Sequence, residues 1–118
     1  MLIWHKKLWL IDNGSSLYFQ YSWRDSPVRP RNRFPQIKHH VLLPLAGALE
    51  EVDADLSARL TPDLIAEIVA LIPDAWLEDS GFASPEEARE AYVSYLVTRL
   101  EAPRAFIEEA VHARSGLL

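Results

Sequence analysis

Residues 2–14 read Leu2-Ile-Trp-His-Lys-Lys-Leu-Trp-Leu-Ile-Asp-Asn-Gly14, and this stretch decides how the fold begins. Two short apolar runs rich in aromatic residues flank a Lys-Lys pair, which predicts a β-hairpin with strands near residues 2–5 and 8–11. An acid, an amide and a glycine then turn the chain. Because an isolated two-stranded hairpin is marginal in water, we expect Trp4 and Trp9 to pack against the rest of the protein.

The composition indicates one domain spanning residues 1–118. About half of the residues are apolar, which is enough for a core and argues against disorder. The chain has no cysteine, so disulfides and thiolate metal sites are excluded. No apolar run approaches the ~20 residues that span a bilayer, and no signal peptide is evident, so we expect a cytoplasmic protein with no membrane partner.

Charge is divided unequally along the chain. Residues 1–40 carry seven Lys or Arg residues and two acids, whereas residues 41–118 carry five and fifteen, respectively. The first third can face an anion, and the rest should repel polyanions. Since a general nucleic-acid binder is usually basic overall, this distribution argues against nucleic acid as a partner.

Three segments with different composition follow one another. Residues 1–23 predict the hairpin and an extended stretch, residues 24–38 a basic, proline-rich loop, and residues 39–118 a lobe of four to six helices. Three prolines in the loop are taken to exclude both helix and central strand. The predicted fold class is therefore α+β, with a hairpin followed by a mostly helical lobe.

Helix starts are the clearest local signals in the second half. Thr61 before a proline predicts a capped start, and Ser84 with Glu87 forms a capping box. His39–Glu51 predicts a first helical region, and Asp53 is a possible cap of a short helix to Leu60. The apolar residues at helical spacing are expected to be buried: Leu64, Ile65, Ile68, Val69, Ile72, Tyr92, Val93, Leu96, Leu100, Phe106, Ile107, Ala110 and Val111.

Two groups of residues could carry chemistry. The Asp12 carboxylate at the end of a strand suits a hard cation such as Mg²⁺, although an Asp-Asn-Gly turn needs no metal to explain it. Arg29, Arg31 and Arg33 could bind an anionic substrate, or could simply balance the acidic helices.

Adjacent His39 and His40 point about 100° apart if helical, so packing or capping explains them better than a metal. The residues show no catalytic nucleophile with a partner.

Three stretches in this order resemble the HipA-like kinase domain family of bacteria. They are Trp-His-Lys-Lys-Leu-Trp-Leu-Ile-Asp-Asn-Gly-Ser-Ser-Leu-Tyr-Phe at 4–19, Ile-Lys-His-His-Val-Leu-Leu-Pro at 37–44, and Tyr-Val-Ser-Tyr-Leu-Val-Thr-Arg-Leu-Glu-Ala-Pro-Arg-Ala-Phe-Ile-Glu at 92–108. The family is distantly related to HipA Ser/Thr kinases and to phosphatidylinositol kinases. The resemblance covers nearly all of this chain, but only the C-terminal part of the family's domain.

The resemblance implies a kinase-like C-terminal lobe. Asp12 would hold the Mg²⁺ of ATP, Asn13 and Gly14 would lie beside the nucleotide, and the basic loop would be a mobile segment that binds or gates the substrate. The family's nucleotide-binding strands, phosphate-contacting Lys and catalytic loop have no counterpart in this sequence. We therefore expect no activity and no bound cofactor for this chain alone.

The resemblance and the hairpin together suggest the partners. The implied partner is the missing N-terminal half of such a domain, or a second copy bound through the apolar hairpin. A stand-alone helical interaction or regulatory module is the alternative reading of the same sequence.

Overall fold

The computed structural model describes residues 2–11, 29–78 and 80–117. Strands β1 (Leu2–Trp4) and β2 (Lys7–Trp9) form an antiparallel hairpin. The described residues then form four α-helices: α1 (Leu49–Arg59), α2 (Pro62–Ala70), α3 (Pro85–Leu100) and α4 (Ala105–Ser115). Short 3₁₀ helices lie at Arg29–Arg31, Pro35–His39, Leu43–Leu45 and Asp74–Trp76. The predicted order of a hairpin before a mostly helical region is confirmed.

The hairpin turns tightly at His5 and Lys6. Both residues have positive φ (49° and 61°), as a two-residue turn matched to the twist of the strands requires. Trp4 pairs with Lys7 and Leu2 with Trp9, and the side chains of Trp4, Lys7 and Trp9 share one face. The Trp9 indole donates a hydrogen bond to the Trp4 carbonyl oxygen at 3.3 Å, which joins the two strands on the hairpin itself.

The expected burial of the hairpin is wrong. Trp4 and Trp9 are 59% and 50% exposed, and Leu8 on the opposite face is also exposed. The buried faces of the helices contact one another, α2 with α3 and α1 with α4, and leave the hairpin outside the core. Sequence pattern identifies apolar side chains, but it does not determine which of them meet.

The two predicted helix starts are confirmed by their hydrogen bonds. The Thr61 hydroxyl accepts from the Leu64 N–H at 3.2 Å, and the Ser84 hydroxyl accepts from the Glu87 N–H at 3.2 Å. The Glu87 carboxylate reaches back to accept from the Ala83 N–H at 2.8 Å. These contacts satisfy N–H groups that have no partner within the helix.

Two local predictions need correction. The helix α1 begins at Leu49 and is continuous to Arg59, so Asp53 lies in its middle and is not a cap. The predicted loop at 24–38 contains the 3₁₀ helix Arg29–Arg31 and most of the 3₁₀ helix Pro35–His39. Proline at the first position of such a turn loses no hydrogen bond there, so it starts the turn instead of preventing it.

The core is small and lies between the helices. Its members are buried apolar side chains contributed mainly by α2, α3, α4 and the segments beside them: Leu43, Ile65, Val69, Leu77, Ala88, Tyr95 and Ala110. Of the predicted α3 face, Tyr92, Val93, Leu96 and Leu100 are only half-buried. None of the described helices combines the length and the apolar character needed to cross a membrane.

Candidate functional site

The predicted metal and cofactor residues Asp12, Asn13 and Gly14 lie outside the described residues. The hairpin leads directly towards them, because β2 ends at Trp9 and Leu10 and Ile11 continue the chain. Among the described residues, no three His, Asp or Glu side chains are grouped closely enough to hold a metal ion. His40 accepts a hydrogen bond on Nδ1 from the Leu42 N–H at 3.2 Å, so its ring braces a turn.

The described part of the basic loop, residues 29–38, is called the basic segment, and it is held against the helical region. Pro30, in the 3₁₀ helix Arg29–Arg31, is buried, and its carbonyl oxygen accepts a hydrogen bond from Arg99 Nη1 at 3.0 Å. The same guanidinium lies over the Phe106 ring, 4.6 Å from its centroid. A cation over an aromatic face is an attractive contact. Arg99 therefore connects the basic segment, α3 and α4.

Two of the predicted anion-binding residues have acidic partners within the chain. Arg31 Nη2 lies 2.6 Å from a Glu101 carboxylate oxygen, and Arg33 Nη1 lies 3.5 Å from one of Glu109. Both arginine side chains remain at least half exposed. The reading in which this segment balances the acidic helices therefore has specific contacts. The backbone of Arg29, the third predicted anion-binding residue, begins the 3₁₀ helix Arg29–Arg31.

Arg104 connects the two helix pairs, α1 with α4 and α2 with α3. Arg104 precedes α4 and donates through Nε and Nη2 to both carboxylate oxygens of Asp53, at 2.5–2.9 Å. Its Nη1 donates to the Leu100 carbonyl oxygen at 3.0 Å. The hydrogen bonds to Asp53 raise the pKa of Arg104 above its usual value, so this guanidinium stays charged.

Arg89 organises the segment between α2 and α3. Its Nη2 donates to the Ile72 carbonyl oxygen at 2.7 Å and to the Asp74 carboxylate. Beside it, a groove of about 540 Å³ runs between the two helices. Small and branched residues line this groove, among them Ala66, Ala70, Val93 and Val97.

Sequence reasoning missed Arg89, Arg99 and Arg104 as organising residues. The sequence signal that could have indicated them is their rarity. Residues 41–118 contain only five basic residues but fifteen acidic ones. An arginine on a half-buried helix face is expected to have a specific partner, because an unpaired buried charge is costly. Its partner could not be named, since the partners are as far as 69 residues away in sequence.

No protein-family model, curated protein or solved structure matches this chain. The described part of the candidate site is a half-exposed pair of guanidinium groups, Arg31 and Arg33, held beside the end of α3 and the face of α4. Guanidinium groups bind phosphate and carboxylate oxygens through paired hydrogen bonds, so this surface is suited to an anion that displaces Glu101 and Glu109.

Proposed function

We propose that this chain is the helical lobe of a HipA-like phosphotransferase, in which Asp12 supplies a ligand to the Mg²⁺ of ATP. The observation that carries the proposal is the hairpin that delivers the chain to Asp12. Its register and tight turn define how β2 runs, and only Leu10 and Ile11 separate this strand from the acid. The short distance in sequence between this strand and Asp12 supports the proposal, because Mg²⁺ takes carboxylate oxygens as ligands.

One carboxylate makes a poor magnesium site. Magnesium keeps several waters and takes its other ligands from carboxylates and from the phosphates of the nucleotide. The proposal therefore assigns the nucleotide-binding strands and the catalytic loop to a second component. On its own, the chain binds Mg-ATP weakly and transfers no phosphate.

The basic segment has a role in the same proposal. Arg31 and Arg33 would receive an anionic group of the substrate, in exchange for Glu101 and Glu109. Both guanidinium groups are at least half exposed, although the Glu109 carboxylate is largely buried, and the exposed Arg31–Glu101 pair contributes at most ~1 kcal/mol. A phosphate or carboxylate group of a ligand can compete at that energy.

Calorimetric titration of the purified chain with Mg-ATP tests the proposal. We expect affinity no tighter than about millimolar. The heat should fall in Asp12→Ala and stay unchanged in Asp63→Ala, since Asp63 is an exposed acid in the first turn of α2. Equal heats in both variants would contradict the role of Asp12. Micromolar affinity lost in Asp12→Ala would contradict the assignment of the remaining ligands to a second component.

A protein-interaction module is the second candidate function. The observation that favours it is the amount of exposed apolar surface: more large apolar side chains are exposed than buried in the described residues. Where such side chains cluster, they mark contact sites on proteins. The candidate predicts an oligomer or a captured partner, with no dependence on Asp12.

A further inference from the structure

Two separate apolar surfaces remain uncovered in the structure. The first, the hairpin surface, consists of exposed side chains on both faces of the hairpin and just after it: Trp4, Leu8, Trp9, Leu10 and Ile11. All five are between 47% and 71% exposed. Since a two-stranded hairpin is marginal on its own in water, this element gains most from being covered.

The second, the α1–α2 surface, consists of one exposed stripe on each of two consecutive helices. The residues recur at helical spacing: Val52, Leu56 and Leu60 along α1 and its end, and Leu64, Ile68 and Leu71 along α2 and its end. The stripes converge where Leu60 and Ile68 line the same apolar cleft. The cleft therefore lies where the end of the α1 stripe meets the α2 stripe.

The cleft has room for a side chain. Its volume is about 220 Å³, and its lining is apolar apart from one arginine: Leu60, Ile65, Ile68, Leu96, Arg99, Leu100 and Phe106. An apolar cavity of ~150 Å³ accepts a benzene ring. A tryptophan or leucine side chain is therefore a suitable occupant, and the hairpin surface offers both kinds.

The charges around the two surfaces are complementary. Residues 2–11 contain Lys6 and Lys7 and no acid. Residues 49–71 contain six acids and one arginine. Of these acids, Asp53 is engaged with Arg104, and Glu51, Asp63 and Glu67 lie exposed. Attraction between a basic hairpin and an acidic helix surface favours their encounter and fixes its orientation.

We propose that the hairpin surface of one copy docks on the α1–α2 surface of a second copy, and that the exchange is reciprocal. Within one chain both surfaces stay exposed, so neither covers the other there. A two-fold arrangement covers both surfaces on both copies. Only one face of each hairpin is covered in such a contact, so two contacts bury roughly 1,500 Å² in total, within the range of about 1,200–2,000 Å² typical of specific interfaces.

Sedimentation of the full chain and of matched variants tests this dimer. The full chain should sediment as a dimer at micromolar concentration, at twice the monomer mass of 13.5 kDa. Trp9→Glu on the hairpin and Ile68→Lys on α2 should each weaken association by about 100-fold, because each places a charge in the contact. Trp76→Glu is the control, since Trp76 is 78% exposed and belongs to neither surface.

Mixing the two damaged variants gives a sharper result. In a mixed pair, the intact hairpin of Ile68→Lys meets the intact α1–α2 surface of Trp9→Glu, so one of the two contacts is restored. Association should then recover in the mixture and be absent from either variant alone. Circular dichroism should show the same helical content for all variants, because the replaced side chains are at least half exposed.

Three outcomes would overturn the proposal. They are a monomeric full chain at 100 µM, a dimer that survives Ile68→Lys, and a mixture that stays monomeric. A dimer lost only in Trp9→Glu would indicate pairing of hairpin with hairpin. The proposal does not depend on phosphoryl transfer, and the mass measured here is independent of metal or nucleotide at Asp12.

Discussion

Asp53 and Arg104, 51 residues apart in sequence, form a two-pronged ion pair that joins the middle of α1 to the start of α4. Both side chains are largely buried, with 13% and 17% of their surface exposed. The pair is the link between α1 and the connection from α3 to α4, because Arg104 also holds the Leu100 carbonyl. It explains why an acid is placed on a half-buried face in the middle of a helix.

Removing one partner of this pair should destabilise the fold strongly. Asp53→Ala leaves the Arg104 charge buried without its carboxylate, and we expect a loss of about 2–4 kcal/mol in the free energy of unfolding. Urea denaturation followed by circular dichroism measures it. The matched control is Asp55→Ala on the same helix, which removes an exposed pair with Arg59 and should cost ~0.5 kcal/mol or less. Equal losses in the two variants would contradict the account.

Arg99 should control how firmly the basic segment is attached. Arg99→Ala removes the hydrogen bond to Pro30 and the contact with Phe106, together worth about 1–2 kcal/mol. Local opening then increases about tenfold, and trypsin should cleave after Arg31 and Arg33 correspondingly faster. Mass spectrometry of timed digests gives the rates. Arg59→Ala is the control, and unchanged cleavage in Arg99→Ala would show that this clamp contributes nothing.

Freeing Arg31 and Arg33 should strengthen anion binding. In Glu101→Gln/Glu109→Gln, the two guanidinium groups lose their competing carboxylates, and we expect inorganic phosphate to bind several-fold more tightly at low salt. The phosphate-dependent rise in melting temperature measures this change. The control Asp63→Asn/Glu67→Gln, at two exposed acids of α2, changes the net charge by the same amount and should leave the shift as in the unmodified chain. If all variants shift alike, this surface is not an anion site.

The cap at Ser84 should stabilise α3 measurably. Ser84→Ala removes the acceptor for the Glu87 N–H, and we expect a loss of about 1 kcal/mol in the free energy of unfolding. Ser94→Ala is the control, because Ser94 lies exposed in the interior of the same helix, where alanine is the better helix former. A loss as large in Ser94→Ala would mean that the cap is not the cause.

The predictable parts of the fold are those set by neighbours in sequence. Thr61 and Ser84 mark helix starts because their hydroxyls bond to N–H groups three residues on. Sequence pattern favours Asp53 as a cap and does not reveal its partner, Arg104, which lies 51 residues away. The exposure of Trp4 and Trp9 was equally unpredictable, since apolar character shows what can be buried and not what covers it.

The candidate site divides in the same way. The basic segment was visible from composition alone, but its partners Glu101 and Glu109 appear only once α3 and α4 are folded. Arg99 has no distinguishing sequence pattern around it, and its role depends on Pro30, 69 residues earlier. The proposed role of Asp12 and of the residues beside it depends on the sequence motif and the order of the elements alone.

Site-resolved Mn²⁺ titration tests the central claim, that Asp12 is a metal ligand, most directly. Manganese replaces Mg²⁺ at oxygen sites and broadens the NMR signals of nearby amides. The account predicts weak but selective binding by this chain alone, seen as broadening at residues 12–14 before other acidic residues, its loss in Asp12→Asn, and its retention in Asp63→Asn. Broadening spread evenly over the acidic helices, and unchanged in Asp12→Asn, would contradict it.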